Sequence, residues 1–255
     1  MPISPLAQVS DFRNRVAVVT GGTSGLGRHL VETLVTFGSD VFFCGRNSEL
    51  GREIERQLGP RAHFLACDLA NAEFTRTFVH QAGVHRGTID FVVNNAAIDP
   101  AIPFQDSTLH DLDQIIAINL RSYFLVAQVA LPYLKKGRGK AVVNIGTTNW
   151  MIGIANHSMY ATAKAGILGL TRSLARELGA DGIRVNMVSP GWIMTKRQLA
   201  EKVTEQDKVE LLAETSVGHL LFEEHVSPAT LFLLSSAAGG ISGQNLVVDG
   251  GKYLQ

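Results

Sequence analysis

The residues Arg15-Val-Ala-Val-Val-Thr20, followed at once by Gly21-Gly22-Thr23-Ser24-Gly25-Leu26-Gly27, decide how this chain folds. The apolar, β-branched run predicts a strand that is buried on both faces. A helical pattern continues from Arg28 to about Phe37, and Gly38 fits its C-terminal end. A strand, a glycine turn and a helix in this order present backbone N–H groups and the positive end of a helix to a phosphate. The stretch therefore predicts the nucleotide-binding end of an α/β sheet.

The same alternation of apolar strands and helical segments continues along the chain. Further strands are predicted at 40–45, 62–67, 89–93, 141–145, 183–188 and 246–248. Helices are predicted at about 48–58, 71–84, 107–135, 158–178, 196–214 and 226–236, with residues 1–14 as a short arm. Because no linker or break in composition interrupts this alternation, we expect one domain over residues 1–255. The predicted fold class is α/β, with a single Rossmann-like, doubly wound parallel β-sheet flanked by helices on both faces.

Composition narrows the classes of function. The chain has 23 basic and 23 acidic residues, so its net charge is zero and neither nucleic acid nor an anionic membrane is an expected partner. The N-terminus lacks the pattern of a signal peptide, and no apolar stretch has the length of a membrane span, so we expect a cytoplasmic location. Cys44 and Cys67 each lie in an apolar run and are expected to be buried free thiols. The eight histidines show no metal-binding spacing, and no metal is expected.

The stretch Tyr160-Ala-Thr-Ala-Lys164 is the strongest candidate for chemistry. Residues four apart lie on the same face of a helix, so Tyr160 and Lys164 are expected to point together. An ammonium about 4 Å from a phenol favours the phenolate by about 4 kcal/mol, which is up to roughly three pKa units. A tyrosine tuned in this way exchanges a proton with an alcohol or a carbonyl near neutral pH. The alternative is an ordinary helix in which Tyr160 is half-buried and Lys164 reaches the solvent.

The end of the second predicted strand selects the type of dinucleotide. An acidic residue at this point binds the adenosine ribose and repels a 2′-phosphate. This chain has Gly45-Arg46-Asn47 there, and a guanidinium pairs well with phosphate. NADP(H) is therefore the preferred cofactor and NAD(H) is possible, the alternative being that Arg46 is a solvated turn residue and both cofactors bind. Asp68, at the end of the third strand, either accepts from the adenine amino group or caps the next helix.

Several motifs occur together in a recognisable order. They are Thr20-Gly21-x-x-x-Gly25-x-Gly27, Asn94-Asn95-Ala96-Ala97, Asn119, Thr147, Tyr160-x-x-x-Lys164 and Pro190-Gly191. In this order and spacing the chain resembles the classical short-chain dehydrogenases/reductases, and the match extends to Val-Val-Asp-Gly-Gly at 247–251. The resemblance implies a small-molecule substrate, a substrate lid at about 191–225, and a homotetramer formed through helices 107–135 and 158–179.

The resemblance also implies roles for individual residues. Tyr160 is the expected general acid/base, and Lys164 lowers its pKa and holds the nicotinamide ribose. Asn119 positions a water in a proton relay, unless it is a helical asparagine bonded to its own backbone, and Asn94 supports the sheet near the cofactor. The residues expected to bind the cofactor are Gly21, Thr23, Ser24, Gly25, Leu26, Gly27, Arg46, Asn47, Asp68, Leu69, Asn95, Ala96, Ala97, Tyr160, Lys164, Pro190, Gly191, Ile193 and Thr195. Ile193 and Thr195 are expected at the nicotinamide carboxamide.

Three positions depart from the family pattern. Thr147 stands where the family has a substrate-polarising serine; its hydroxyl can make the same hydrogen bond, but its methyl group takes space. Ala97 replaces a glycine, so the backbone of that loop must accept a Cβ. Gly218-His-Leu-Leu-Phe-Glu-Glu-His225 replaces the usual Arg-x-Gly-x-Pro-Glu-Glu beside the lid. Acyl-carrier substrates are therefore not inferred from the family.

The substrate end of the site is most similar to the aldose and sugar-acid dehydrogenases of this family. Residues expected to contact the substrate are Thr147, Asn149, Trp150, Asn156, His157, Tyr160, Lys196 and Arg197, with Gln198 as a further hydroxyl ligand. The alternatives are that Trp150 packs the lid and that Lys196 and Arg197 form a solvated first turn. The expected activity is hydride transfer between NAD(P) and an alcohol, hemiacetal or carbonyl of a small polyhydroxylated substrate. A generic ketone or 3-oxoacyl reductase, and a non-catalytic NADP-binding scaffold, are the alternative functions.

Overall fold

The structure, a computed structural model, describes residues 9–253 and is built on one parallel sheet. Its strand order is β3-β2-β1-β4-β5-β6-β7, and every neighbouring pair runs parallel. The strands are β1 Val16–Val19, β2 Asp40–Gly45, β3 Ala62–Ala66, β4 Phe91–Asn94, β5 Ala141–Ile145, β6 Arg184–Pro190 and β7 Asn245–Val248. The direction of winding reverses between β1 and β4, which is where such sheets bind ligands, at the carboxyl ends of the strands. The predicted fold class is confirmed.

The helices cover both faces of this sheet. They are α1 Val9–Phe12, α2 Gly25–Thr36, α3 Ser48–Leu58, α4 Ala72–Arg86, α5 Leu109–Ile116, α6 Ser122–Leu134, α7 Asn149–Ile152, α8 Ser158–Leu178, α9 Lys196–Glu201, α10 Glu205–Glu214 and α11 Glu223–Leu234. One buried cluster includes Leu30, Ile54 and Leu231 on α2, α3 and α11. A second includes Phe78, Val126 and Leu178 on α4, α6 and α8. Between the two layers, the central strands β1, β4 and β5 are buried along their whole length.

Three predicted elements differ in the structure. Part of the arm predicted at 1–14 is helical, since α1 covers Val9–Phe12, whereas residues 1–8 lie outside the described residues. The helix predicted at 107–135 contains a π-helical turn at Ala117–Arg121, between α5 and α6. The helix predicted at 196–214 is two helices, α9 and α10. Thr204 is the N-cap of α10, where its side chain accepts from the Asp207 amide, so the helical pattern is interrupted before it. Side-chain capping competes with continued helix in this way.

The helical run Leu109–Leu134 is long and apolar enough to span a membrane by length and composition alone. Half of its most apolar window is buried, and Val126, Ala130 and Leu134 belong to the core on the α4 side of the sheet. Burial of this kind is the behaviour of a core helix. Cys44 and Cys67 are buried and free, as predicted.

The glycine spacing after β1 has a separate cause at each position. Gly21 and Gly25 adopt φ values of 66° and 51°, a region that costs other residues free energy. Gly27 has no room for a side chain, because a Cβ there would lie 2.2 Å from the Gly21 carbonyl oxygen. The first turn of α2 therefore packs directly on the loop, as a phosphate-binding turn requires.

A charged cluster that spacing did not predict lies at the amino end of β2. The ligand atoms of Asp40, His63 and His85 lie within 4.8 Å of one another. Asp40 also forms ion pairs with Arg61, at 3.4 Å, and with Arg86. Two guanidinium groups on one carboxylate oppose a metal cation, so we describe the cluster as an ion-pair network.

Candidate active site

A cleft of about 1400 Å³ opens at the carboxyl ends of the central strands. The glycine turn and the end of β2 line one part of it, and Thr147, Tyr160, Lys164 and the segment from Pro190 line another. Sites for single small ligands measure about 300–1,000 Å³. The size and shape therefore suit an extended ligand, such as a dinucleotide, together with a second, smaller molecule.

All the residues predicted to bind the cofactor line this cleft except Asn47. The Asn47 side chain instead caps α3, where it accepts from the Leu50 amide. Its position after β2 is equally a helix-capping position, and a cofactor contact of Asn47 stays a prediction. Ala97 has no positive φ, so its loop accepts the Cβ as expected. Whether the other residues contact the cofactor stays a prediction.

The phosphate end of the cleft fits a nucleotide. A Cβ at Gly21 would lie 2.9 Å from the Ala96 Cα, so the loop and the Asn95–Ala97 segment approach as backbone. Thr20 fixes them, because its hydroxyl accepts from the amides of Asn95 and Ala96. Ser24 occupies the N-cap position of α2 but makes no side-chain capping hydrogen bond. The first-turn amides of α2 are thus free of a side-chain cap and available to an anion.

Arg46 and Asp68 lie where the adenosine half of a dinucleotide would bind. Arg46 is exposed and lines the cleft, and its guanidinium has no ion pair within residues 9–253. Asp68 Oδ1 accepts from the Ala70 amide at 3.0 Å. The cap of α4 is Asn71, which accepts from the amides of Glu73 and Phe74. The alternative role of Asp68 as the helix cap is therefore wrong, and its contact with adenine stays a prediction.

Tyr160 and Lys164 lie together on α8, both buried in its sheet-facing side. The Lys164 ammonium donates to the Tyr123 hydroxyl at 2.9 Å and to the Ile145 carbonyl at 2.7 Å. Its Nζ lies 5.9 Å from the centre of the Tyr160 ring. Thr147, two residues beyond β5, lines the same part of the cleft, and its hydroxyl accepts from the Asn149 amide at 3.2 Å. The predicted catalytic residues Thr147, Tyr160 and Lys164 thus share one end of the cleft.

The electrostatics of this pair differ from the sequence expectation. Burial raises the pKa of Tyr160, the Asp99 carboxylate raises it further, and the nearby Thr147 hydroxyl acts in the opposite direction. Burial also lowers the pKa of Lys164 from 10.5 to about 7, and the charge of Asp99 opposes this change. The net rise in the Tyr160 pKa comes from burial and from Asp99, and the expected lowering by Lys164 stays a prediction. In the protein alone, Tyr160 therefore keeps its proton at neutral pH.

Asn119 and Asn94 have defined structural partners. The Asn119 side chain accepts from the Ile98 amide and donates to the Ile98 carbonyl, at 2.9 and 2.8 Å. The alternative of a bond to its own helix is therefore wrong, and a role in holding a water stays a prediction. The π-helical turn around Asn119 is a feature that often marks functional sites. Asn94 donates to Asn144 Oδ1 at 2.9 Å and so joins β4 to β5 beneath the cleft.

Two predicted substrate residues lie outside the cleft lining. Asn149, His157, Lys196, Arg197 and Gln198 line it, whereas Trp150 and Asn156 do not. Trp150 is half-buried, and its indole nitrogen is buried without a hydrogen-bond partner among the described residues. The backbone of Asn156 has a φ of 61°, and its carbonyl accepts from the Ile102 amide. Contact of Trp150 and Asn156 with the substrate stays a prediction.

Sequence reasoning missed three residues at this site. Trp192 lines the cleft, is 38% exposed and donates from its indole nitrogen to Gln198 Oε1 at 3.1 Å. Asp99 also lines it and accepts from Arg197 at 3.0 Å and from Lys202 at 2.8 Å. The Tyr123 hydroxyl accepts from Lys164 without lining the cleft. Trp192 directly follows Pro190-Gly191 and could have been found from that signal, whereas Asp99 and Tyr123 meet their partners only through the fold.

Comparison with known proteins agrees with this geometry. A family model described as enoyl-(acyl carrier protein) reductase matches residues 21–252. A probable galactose dehydrogenase of Rhizobium meliloti is 34% identical over 253 residues, which cover 98% of this chain and 99% of the relative.

Two solved structures share the fold across nearly their whole length. One, a short-chain dehydrogenase/reductase described as a glucose/ribitol dehydrogenase from Brucella melitensis, is 29% identical with a TM-score of 0.90, over 96% of this chain and 99% of that chain. The other is a blue fluorescent protein from a metagenomic library in complex with NADPH, 33% identical with a TM-score of 0.88, over 96% and 100%. The glycine turn after β1 leaves room for a nucleotide, and Tyr160 and Lys164 lie in the same cleft. This chain therefore belongs to the short-chain dehydrogenase/reductase family and is an oxidoreductase of alcohol groups that uses a nicotinamide cofactor.

Proposed function

We propose that this protein is an NADP(H)-preferring dehydrogenase of a small, neutral, polyhydroxylated substrate, acting at a secondary alcohol, hemiacetal or carbonyl. One observation carries the proposal: the cleft joins an uncapped, glycine-built helix N-terminus at one end to Thr147, Tyr160 and Lys164 at the other. An anionic dinucleotide fits the first end, and an alcohol that must lose a proton fits the second. The bound nicotinamide cofactor supplies or accepts the hydride.

The protein's own residues handle the proton. The Thr147 and Tyr160 hydroxyls bind the reacting oxygen, and Tyr160 takes its proton in oxidation or returns it in reduction. Because burial raises the pKa of Tyr160, the phenolate form depends on the charge of the neighbouring Lys164 ammonium. Oxidation therefore gains from rising pH as long as Lys164 stays charged, and reduction gains from lower pH.

The charges around the lid support a neutral substrate. Arg197 pairs with Asp99 and lies 3.9 Å from Glu201, and Lys202 also pairs with Asp99. Two of the lid cations are therefore already paired within the protein, whereas Lys196 lines the cleft without an ion pair among the described residues. The uncharged groups of Asn149, Trp192 and Gln198 are left to bond hydroxyls or to pack against a ring. The galactose and glucose/ribitol dehydrogenases among the similar proteins support a sugar or sugar alcohol.

A second candidate is a reductase of ketones or acyl thioesters. The description of the matching family model favours it. Its substrate would enter the same cleft and use the same proton donor, so the two candidates differ only in what the lid residues recognise.

The first prediction concerns substrate and mechanism. With NADP⁺, neutral aldoses and polyols should be oxidised faster than sugar acids, and acyl thioesters should be poor substrates with NADPH, as read at the nicotinamide absorbance. Tyr160→Phe should lower kcat by at least about a hundredfold, because it removes the proton-transfer group. Cofactor binding, followed by NADPH fluorescence, should persist in this variant.

Three other results of the substrate panel and of Tyr160→Phe would contradict the proposed function. Preferred turnover of acyl thioesters would decide for the second candidate. NADPH binding without turnover of any compound would indicate a non-catalytic scaffold. Near-normal kcat in Tyr160→Phe would exclude the proposed mechanism.

The second prediction concerns the cofactor. Arg46→Asp should lower the ratio of NADP⁺ to NAD⁺ kcat/KM by at least about tenfold, since a carboxylate at the end of β2 repels the 2′-phosphate and binds ribose hydroxyls. Arg56→Asp is a matched control, because Arg56 is exposed on α3 and does not line the cleft. A ratio that is equal in both variants and in the unmodified protein would refute the preference for NADP(H).

The third prediction concerns the cost of burying Lys164. A lysine whose folded pKa lies near 7, below its unfolded value of 10.5, destabilises the protein fully below pH 7, and the penalty disappears as pH rises through that interval. The penalty is at most about 5 kcal/mol. Lys164→Met should therefore raise the free energy of unfolding at pH 6, and the gain should shrink towards pH 10, as measured by chemical denaturation.

A control lysine separates this effect from a general loss of charge. Lys136 is exposed and forms no ion pair among the described residues. Lys136→Met should leave the pH dependence of stability unchanged. A Lys164→Met gain that is constant from pH 6 to 10 would mean that packing, rather than charge, is responsible.

We further propose a homotetramer that associates through α5–α6 and α8. Among the apolar side chains of these helices, Tyr123 is buried, and Leu120, Leu168 and Leu174 pack against the core. Phe124 on α6 is 49% exposed and so remains available to a second copy. An exposed aromatic ring on an apolar helix favours association.

The fourth prediction tests that assembly. Phe124→Arg should reduce the molar mass in size-exclusion chromatography with light scattering, because it places a charge within an apolar contact. Phe74→Arg is the control, since Phe74 is 55% exposed on α4, away from the proposed interface. A tetramer that survives Phe124→Arg would contradict an interface through α6.

A further inference from the structure

We propose that Tyr123 is a positioning residue for the proton transfer, whose phenol oxygen, together with the Ile145 carbonyl, holds the Lys164 side chain in its charged form and at a fixed place below Tyr160. The proposal rests on the proposed function, because it assigns Tyr123 a part in the same reaction. Tyr123 does not line the cleft and is not expected to touch substrate or cofactor.

The hydrogen bonds around Lys164 form a closed triangle. Lys164 Nζ donates to Tyr123 Oη at 2.9 Å and to the Ile145 carbonyl at 2.7 Å. Tyr123 Oη in turn donates to the same carbonyl at 3.1 Å. Because the phenol proton is directed at Ile145, the Tyr123 oxygen presents its lone pairs to the ammonium. An ammonium has three N–H groups, so one remains for a partner in the cleft.

The position of Tyr123 is fixed by its surroundings. It is fully buried and packs with Ile167 and Met187 between α8 and β6. Its carbonyl accepts from Asn94 Nδ2 at 3.4 Å, which ties the start of α6 to β4. The preceding π-helical turn, Ala117–Arg121, sets the register of α6. A rigid phenol therefore faces Lys164, and the ring centre lies 4.9 Å from Nζ, within the range of a cation–π contact.

These contacts act on the charged form of Lys164. Acceptors that bond an ammonium favour its protonation, and they oppose the desolvation that lowers the Lys164 pKa. The other titratable groups near Lys164 are Tyr160 on α8, Asp99 beyond β4 and, past Tyr160, the exposed ring of His157. Among residues 9–253, Asp99 is the negative charge that acts on Lys164, and it is shared with Arg197 and Lys202. Removing the Tyr123 oxygen should therefore make Lys164 lose its proton at lower pH and make the Tyr160 phenolate harder to form.

The test is Tyr123→Phe, which removes one oxygen and keeps the ring. The midpoint of the Lys164 titration, followed by NMR of protein labelled with ¹³Cε-lysine and assigned with Lys164→Met, should fall by about one pH unit. In the pH profile of kcat for oxidation, the pKa on the acidic side should rise by at least about half a unit. Tyr133→Phe is the matched control: Tyr133 lies on the same helix and bonds His80 Nδ1 at 2.8 Å, away from the cleft, so neither quantity should change.

The outcomes separate this proposal from the proposed function. Unchanged NMR midpoints in Tyr123→Phe would overturn the role of Tyr123, whatever the enzyme's substrate is. A lower midpoint in a protein without Tyr160-dependent turnover would support the hydrogen-bond assignment and refute the proposed function. If Tyr123→Phe does not fold, the unmodified protein still decides. A Lys164 midpoint well below 7 would contradict the proposal, because the two acceptors would then fail to oppose the desolvation of the ammonium.

Discussion

The rest of the active site depends on one constraint, which is that the ammonium of Lys164 is removed from water and still needs hydrogen-bond acceptors. Burying a cation without acceptors is costly enough that the group gives up its proton instead. The fold meets this constraint with two oxygens from different elements, the Ile145 carbonyl at the end of β5 and the Tyr123 hydroxyl on α6. For both to reach Nζ, α8, β5 and α6 must meet at one point, and the π-helical turn before Tyr123 lies at that junction.

The sequence predicted the parts of this site that follow from local geometry. The glycine turn could be predicted because each glycine answers a backbone requirement within the turn itself, a positive φ at Gly21 and Gly25 and contact at Gly27. The pairing of Tyr160 with Lys164 could be predicted because four residues of helix place them on one face. The parallel sheet with helices on both faces followed from the alternation of strands and helices, although helix ends were missed where Thr204 and the π-helical turn interrupt a continuous pattern.

What the sequence could not supply are contacts between residues far apart in the chain. Tyr123 precedes Lys164 by 41 positions, and Asp99 precedes Arg197 by 98. Neither pair has a spacing that marks it, so sequence reasoning assigned Tyr123 no role and treated Arg197 only as a substrate contact. Trp150 was expected to contact the substrate, but Trp192 is the tryptophan that lines the cleft. The periodicity of a sequence predicts which face of an element a residue lies on, but the direction of its side chain depends on how the neighbouring elements pack.

The two ends of the cleft differ in how firmly their residues are held. The end that holds Lys164 is fixed by buried hydrogen bonds between three elements, so its geometry tolerates little change. The lid end is held by exposed ion pairs between Asp99 and the cations of α9 and Lys202, which contribute little stability and exchange partners readily. Since Asp99 also raises the pKa of Tyr160, a ligand that displaces Arg197 and Lys202 from Asp99 changes the charge near the Tyr160 hydroxyl. Under the proposed function, substrate recognition and proton transfer would be coupled through one carboxylate, and a neutral substrate that leaves these ion pairs intact would disturb that coupling least.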